Sequence, residues 1–364
     1  MKLPCGGITS SVSPGLSWFP TQFEKTPPPI RFDIPPELRD RFAFKAGQHL
    51  TLRATIDGEE VRRNYSLCTR PGDGDWMVTV KRIGGGLFSN WVGDQLKPGD
   101  SLDVMPPHGS FTCEFDAAKS RHLVGISGGS GITPVMSLVR TLLREEPESR
   151  FTLFYGNRDS SSVIFLEALA GLKDKHLGRL EIYHFLDAEE QDIELFNGML
   201  SRERLDEAIS ALVPDAPVVD GWFICGPGPM MDAAEGALLD RNIPKERIHI
   251  ERFTADRPPE AVAQEIAQLQ TQAEGVSVAV TLDGRTRRVP FTAGNILDSA
   301  RAAGLPAPFA CKAGVCATCR AKVTSGKVEM AARYGLTDDE VADGYVLTCQ
   351  SVPLGDGVAV DYDA

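Results

Sequence analysis

The chain has 364 residues, too many for one ordinary hydrophobic core, so two or three domains are expected. Its composition, 42% hydrophobic and 24% charged, is that of a globular protein, and its net charge of −12 argues against a nucleic-acid-binding surface. No run of about 18 apolar residues is present to cross a membrane, and the first residues lack the apolar centre of a signal peptide; the expected location is the cytoplasm.

Five regions follow in chain order. Residues 1–25 read as a disordered terminus. Residues 26–116 carry short apolar runs broken by Gly and Pro: "HLTLRATI", "RRNYSL", "WMVTVKRI" and "SLDVMPP". They read as strands of a small antiparallel β-barrel. Residues 117–254 alternate strand and helix. "RHLVGIS", "RFTLFYGN", "RLEIYHFL", "WFICG" and "RIHIERF" are strand-like. Between them, "PVMSLVRTLLREE" puts Val135, Met136, Leu138, Val139, Leu142 and Leu143 on one helical face. "FLEALAGLKDK", "RERLDEAISALV" and "MMDAAEGALLD" also read as helices, which implies an α/β domain with a parallel sheet covered on both faces. Residues 255–273 suit a linker, within which "EAVAQEIAQLQTQ" has a short helical pattern. Residues 274–364 open with a hairpin turning at Asp283 and Gly284, followed by a helix closed by Gly304.

The most specific pattern is C-x4-C-x2-C with a distant fourth thiol: Cys311, Cys316, Cys319 and Cys349. This is the spacing of a plant-type [2Fe–2S] site held by four thiolates. Gly314 between small neighbours lets the backbone bend round such a cluster. The competing chemistry is a four-cysteine zinc site, which more often shows two separated C-x2-C pairs. Cys5, Cys68 and Cys113 stand alone and read as isolated thiols.

The second pattern is "SGGSGITP". Gly128, Gly129 and Gly131 leave backbone amides uncovered at a strand–helix junction, where a pyrophosphate can sit against the helix start. Thr133 is expected to cap that helix and Pro134 to take its first position. The third is "FICGPGPMM", which puts Cys225, Gly226 and Pro227 at the C-terminal end of a parallel strand, the edge where nucleotides bind. The fourth, "RRNYSLCT", groups an aromatic ring, cations and hydroxyls; from residue chemistry alone it also fits a strand with a half-buried Tyr.

Together the four motifs resemble the ferredoxin–NADP reductase superfamily with a C-terminal plant-type ferredoxin domain, from about residue 30 to the end. The resemblance implies an FAD-binding barrel, a nucleotide-binding α/β domain and a β-grasp ferredoxin domain. It implies that Arg63, Tyr65, Ser66 and Thr69 hold the flavin, with Gly86 and Ser89 at the FAD pyrophosphate. It implies that Gly129, Gly131, Thr133, Pro134, Cys225, Gly226 and Pro227 hold the nicotinamide nucleotide, and that Glu251 and Phe253 lie near the flavin. Ser66, Cys225 and Glu251 would tune the reacting site, and Cys311, Cys316, Cys319 and Cys349 would ligate the cluster. The superfamily's first barrel strand normally precedes "FDIPPEL"; here three prolines at 27–29 cannot sit in a central strand, so that strand is expected displaced or on an edge.

Within the superfamily, "YGNRDSSSVIF", "CKAGVCATCRAKVTSGKVEM" and "GYVLTCQSVPL" resemble reductases of oxygenases acting on phenylacetyl-CoA, with reductases of steroid 9α-hydroxylases similar. The implied partner is an oxygenase component, in the first case a diiron subunit. A flavin exchanges electrons both in pairs and singly, so it can join a hydride donor to a one-electron cluster. For the nucleotide, Arg158 and the serines after it, Ser162 among them, suit the extra phosphate of NADPH, whereas Asp159 opposes it and suits NADH. A different class of protein, a redox sensor that binds the same cofactors without turnover, would show one stoichiometric reduction in place of steady NADPH oxidation.

Overall fold

The structure, a computed structural model, describes the backbone of residues 8–13 and the whole of residues 29–253 and 275–364. The described chain divides into two units, Gly7–Val61 with Tyr65–Glu251, and Arg252–Ala364 with Arg62–Asn64.

The first unit begins with β1 (Ile8–Ser13), β2 (Ile30–Asp33), β3 (His49–Ile56), β4 (Glu59–Ser66), β5 (Trp76–Val78), helix α1 (Leu87–Asp94) and β6 (Ser101–Val104). A two-residue turn with positive φ at Asp57 and Gly58 reverses the chain between β3 and β4. The sheet order is β4-β3-β6-β1-β2-β5. Its edges meet where Leu67 bridges Val78 and the Cys68 amide donates to the Met77 carbonyl at 2.9 Å, which closes the barrel. Phe32, Phe42, Leu52, Val78, Phe88 and Val104 fill the interior. The expectation of disorder over residues 1–25 does not hold for 8–13. These residues form β1, paired with both β2 and β6 in mid-sheet, so the first strand comes before the prolines. "ITSSVS" has too few apolar residues to announce a strand. Pro29 stands outside the ladder, immediately before β2, where no amide is needed.

The unit continues with β7 (His122–Gly128), α2 (Ile132–Glu145), β8 (Arg150–Asn157), α3 (Leu166–Lys175), β9 (Leu180–Leu186), α4 (Arg202–Leu212), β10 (Gly221–Cys225), α5 (Gly228–Leu239) and β11 (Ile248–Glu251). All pairs are parallel, in the order β11-β10-β7-β8-β9. The chain runs outward from β7 to β9, then crosses back to β10 on the other side. The sequence order therefore reverses between β7 and β10, the place where open α/β sheets bind ligands. Every residue of β7 is buried, because helices cover both faces. The six apolar residues assigned to one face of α2 are all buried there. The helix itself starts earlier than expected. Gly131 is its N-cap, Thr133 is second and Pro134 third. Pro134 still falls in the first turn, where the amide has no intrahelical partner to lose.

A buried ion pair ties the end of the barrel segment to this sheet. Fully buried Glu146 accepts two bonds from Arg121 (2.6 and 2.9 Å), one from the Ser149 hydroxyl (2.7 Å) and one from the Asp116 amide (3.1 Å).

In the second unit, β12 (Ser277–Leu282) and β13 (Arg285–Pro290) form the expected hairpin, with positive φ at Asp283 and Gly284. Helix α6 (Ile296–Ala302) ends at Gly304 in the left-handed region. β14 (Arg320–Ser325), β15 (Val328–Met330), α7 (Asp338–Ala342), β16 (Tyr345–Leu347), β17 (Ser351–Pro353) and β18 (Ala359–Asp361) complete a mixed sheet, β13-β12-β18-β14-β16, with β15 and β17 paired beside it. Val280, Leu297, Leu347 and Val360 form its centre. The helix expected over "EAVAQEIAQLQTQ" lies outside the described residues.

Two stability predictions follow from the first unit. Glu146→Ala removes the buried carboxylate from Arg121, a partly exposed guanidinium that keeps its bond to the Glu114 carbonyl, and should cost about 1–3 kcal/mol in denaturant unfolding; no measurable loss would contradict this. His122, His184 and His249 all titrate below the usual histidine value, in each case chiefly because of burial. Unfolded imidazoles take up protons near pH 6.5 that the folded ones refuse, so stability should fall as pH drops from about 6.5. A thermal midpoint that is flat down to about pH 5 would exclude this cause.

Candidate functional site

The two glycine motifs meet at the reversal point of the parallel sheet. β7, β10 and β11 end in register, with Ser127 beside Cys225 and Cys225 beside Glu251. A Cβ on Gly131 would lie 1.9 Å from the Cys225 carbonyl oxygen, and one on Gly226 would lie 2.8 Å from the Gly128 amide nitrogen. A Cβ on Gly128 would lie 2.6 Å from Pro227 Cδ and 2.9 Å from Met230 Sδ. The two loops therefore interlock only as glycines. Gly129 has φ +52°, and its carbonyl accepts a bond from the Ile132 amide and another from the Tyr155 hydroxyl at 2.9 Å. The Ser130 carbonyl accepts from Ile132 and from the Thr133 hydroxyl at 3.1 Å. Thr133 thus closes the turn and does not cap the helix; no side chain caps α2. With the carbonyls tied inward and the helix start uncapped, the turn can accept an anion.

Cys225 is fully buried, and its thiol is held well above the usual value, first by burial and then by the Glu251 carboxylate. It stays neutral. Glu251 Oε1 lies 3.5 Å from Nδ1 of His49, a buried residue opening β3. Gly109, with φ +126°, packs against that ring nitrogen.

The segment "RRNYSLCT", expected to meet a flavin, runs off the end of β4. The Tyr65 ring lies 5.8 Å from that of Phe88 at 34°. Ser66 is buried, and its Oγ has no protein partner, the signature of a polar atom awaiting a ligand. The Thr69 hydroxyl donates to the Asp75 carbonyl (2.6 Å), and α2 holds the strand end through Ser137 to the Thr69 carbonyl (2.6 Å) and Arg140 to the Cys68 carbonyl (2.9 Å). A Cβ on Gly86 would stand 2.6 Å from Ser89 Oγ, which itself accepts from the Ile83 amide and donates to the Gly86 carbonyl. Ser89 thereby shapes the turn into α1, whose start no side chain caps. Arg63, inside β4, is exposed and donates to the Arg62 carbonyl at 2.7 Å, and Phe253 is exposed.

At the end of β8, the segment expected to discriminate nucleotides is largely engaged with itself. The Ser161 hydroxyl donates to Asp159 at 2.6 Å, and Ser162 Oγ accepts from the Asp159 amide and donates to its carbonyl. The Ser160 amide donates to the Glu189 carboxylate at 2.7 Å. Arg158 is exposed.

In the second unit the four thiols form two pairs, Cys311 with Cys316 and Cys319 with Cys349, each within hydrogen-bonding reach. The hydrogen bond inside each pair pulls Cys316 and Cys349 below the usual thiol value and pushes Cys311 and Cys319 up. Backbone amides are aimed at sulfur: Ala313 at Cys311 (3.3 Å) and Cys311 at Cys316 (3.5 Å). Gln350 Nε2 stands 3.6 Å from Cys349 Sγ. The loop reaches this arrangement through left-handed residues Lys312, Gly314 and Ala317. Among the described residues no three His, Cys, Asp or Glu side chains are arranged to hold a single metal ion. Two thiol pairs suit a binuclear centre, one pair to each iron, and amide donors favour the thiolate charge such a centre needs.

Comparison with known proteins agrees domain by domain. An oxidoreductase FAD-binding domain matches residues 29–113, an oxidoreductase NAD-binding domain residues 126–236, and a 2Fe-2S iron-sulfur cluster binding domain residues 280–354. The chain is 43% identical to one component of the 1,2-phenylacetyl-CoA epoxidase of Escherichia coli K12, over 92% of this chain and 93% of that one. It is 36% identical to the ferredoxin reductase component of the 3-ketosteroid-9-alpha-monooxygenase of Rhodococcus rhodochrous, over 92% of each. Among solved structures, phthalate dioxygenase reductase shares the fold with a TM-score of 0.57, at 22% identity and 97% coverage of both chains. An intact type IV self-sufficient cytochrome P450 monooxygenase matches at TM-score 0.69 and 22% identity over 97% of this chain, which spans 40% of that longer one. The chain belongs to the ferredoxin–NADP reductase superfamily, in the branch with a C-terminal plant-type [2Fe–2S] domain. It is an electron-transfer oxidoreductase with domains for FAD, a pyridine nucleotide and a [2Fe–2S] cluster.

Sequence reasoning missed His49, Gly109, Tyr155 and Glu189. Tyr155 opens the quoted stretch "YGNRDSSSVIF" but was given no role, and the other three lie outside the motifs; each reaches the site only through the fold.

Cys316→Ser removes one thiol of its pair and should abolish the visible absorption of a binuclear centre while flavin absorption remains. Retention of a full cluster spectrum would remove Cys316 from the ligand set.

Proposed function

We propose that the chain is the NADPH-dependent reductase component of a diiron oxygenase that epoxidises phenylacetyl-CoA. The observation that carries the reading is the end-to-end likeness to the epoxidase component, at 43% identity across all three domains. A bound flavin supplies the exchange between paired and single electrons that joins a hydride donor to a one-electron centre. The protein's part is to hold and screen. The interlocked turns at Gly129–Gly131 and at Gly226 bind the nucleotide pyrophosphate through backbone amides. Tyr65 presents its ring, and Ser66 a buried hydroxyl, to the flavin. The neutral Cys225 thiol packs beside the nicotinamide without adding charge, and Glu251 offers a carboxylate at the same edge. Cys311, Cys316, Cys319 and Cys349 would hold the two irons.

The preference for NADPH rests on Arg158, exposed at the end of β8 and able to meet a 2′-phosphate. One observation favours NADH. Glu189 occupies the Ser160 amide, a donor that a phosphate would otherwise take, and its charge opposes a phosphate. Arg158→Ala should raise the KM for NADPH about tenfold and leave that for NADH nearly unchanged, as loss of a charge-assisted bond requires. An unaltered NADPH KM removes Arg158 from the phosphate site and supports the NADH reading.

The partner is tested by reconstitution. With NADPH, the chain should sustain turnover of the phenylacetyl-CoA oxygenase subunits; activity only with a steroid 9α-hydroxylase oxygenase would support the second likeness, at 36% identity. Steady NADPH oxidation with a one-electron acceptor separates a reductase from a sensor, which would stop after one stoichiometric reduction.

A further inference from the structure

Tyr155 sits near the C-terminal end of β8, between β7 and β9 of the parallel sheet, with no exposed surface. Its ring belongs to the core formed with α2 and α3. Its hydroxyl leaves that core at one point and meets two different segments. It donates to the Gly129 carbonyl at 2.9 Å and accepts from the Ile164 amide at 3.2 Å. Burial pushes the phenol up, so it remains a donor at any ordinary pH.

The first segment is the glycine turn. Gly129 has positive φ, so its peptide group can rotate at little cost. A rotation that brought the carbonyl oxygen round to face the ligand would set a negative dipole against a phosphate. Two donors prevent it, the Ile132 amide from within the turn and Tyr155 from the sheet below. The second segment joins β8 to α3. It carries Arg158, Asp159 and the serines, and ends at Ile164 and at Phe165, a non-glycine residue with φ +65°. The Ile164 amide is buried beside a left-handed residue, outside any strand or helix, and the phenol is the acceptor it meets.

We propose that Tyr155 is a positioning residue for the nicotinamide nucleotide. Its hydroxyl holds the Gly129 carbonyl away from the anion and fastens the glycine turn to residues 158–165, so the segments that meet the pyrophosphate and the adenosine ribose are set together. This rests on the reading that the glycine turn takes the pyrophosphate of NADPH or NADH.

Tyr155→Phe keeps the ring and deletes the hydroxyl. The Gly129 carbonyl loses a donor, and the Ile164 amide is left buried without its acceptor. The expected result is a parallel rise of about 5- to 100-fold in the KM for NADPH and NADH, and in the calorimetric Kd of NADP+, with kcat unchanged. 1-Benzyl-1,4-dihydronicotinamide is a hydride donor with no phosphate, and its rate should not change. An unchanged Kd overturns the proposal, and so does an equal loss with the benzyl donor, which would mark general damage. If the wild-type chain bound neither nucleotide, the reading of the turn would fail first, and separately. Should Tyr155→Phe not fold, the wild-type holoprotein still decides. NADP+ should slow amide exchange at Ile164 together with the glycine turn; protection confined to the turn overturns the proposal.

Discussion

A methyl group on Gly131 would stand 1.9 Å from the carbonyl oxygen of Cys225. That contact between two backbones is the constraint on which the first unit's site depends. It brings the turn after β7 against the turn after β10, at the point where the order of the parallel strands reverses. Because side chains are excluded, the amides of the first turn are left bare, and Cys225 is driven into full burial next to Glu251. The same packing fixes α2, which reaches back through Ser137 and Arg140 to the strand end that carries Tyr65 and Ser66. One close approach thus sets the glycine turn after β7, the neutral thiol and the strand end that carries Tyr65 and Ser66.

The second unit solves an electrostatic problem instead. Four cysteine sulfurs, three of them buried, would repel one another as thiolates. The loop meets this by aiming amides at sulfur and by grouping the thiols in two pairs, each of which can share the charge of one metal centre. The left-handed backbone at Lys312, Gly314 and Ala317 is the local strain that makes the amides point inward. Gln350 extends the same work from the far side of the chain, donating to the Lys312 carbonyl at 2.9 Å while it faces Cys349.

Much of this was legible in the sequence, because the strongest signals are local. The apolar runs of the barrel strands, the buried stripe of α2, the Asp283–Gly284 turn and the cysteine spacing each reflect contacts among neighbours in sequence. β1 was not legible: "ITSSVS" is mostly polar, and its strand character comes from partners on both sides. The start of α2 was misplaced because Thr and Pro favour helix starts, yet the Gly131 contact decides where the helix begins. Glu189 was missed because it reaches Ser160 from a loop 29 residues away, and it changes the reading of "GNRDSSS". His49 and Tyr155 look like ordinary strand residues until the fold brings Glu251 to one and Gly129 to the other.

The central claim is that one chain joins a two-electron donor to a one-electron centre through a flavin. An anaerobic reductive titration of the fully loaded protein tests it most directly, with flavin and cluster followed by their separate absorption bands. The account predicts uptake of about three electrons per chain, two at the flavin and one at the cluster. Saturation after about two electrons, with no bleaching of the iron–sulfur band, would contradict it.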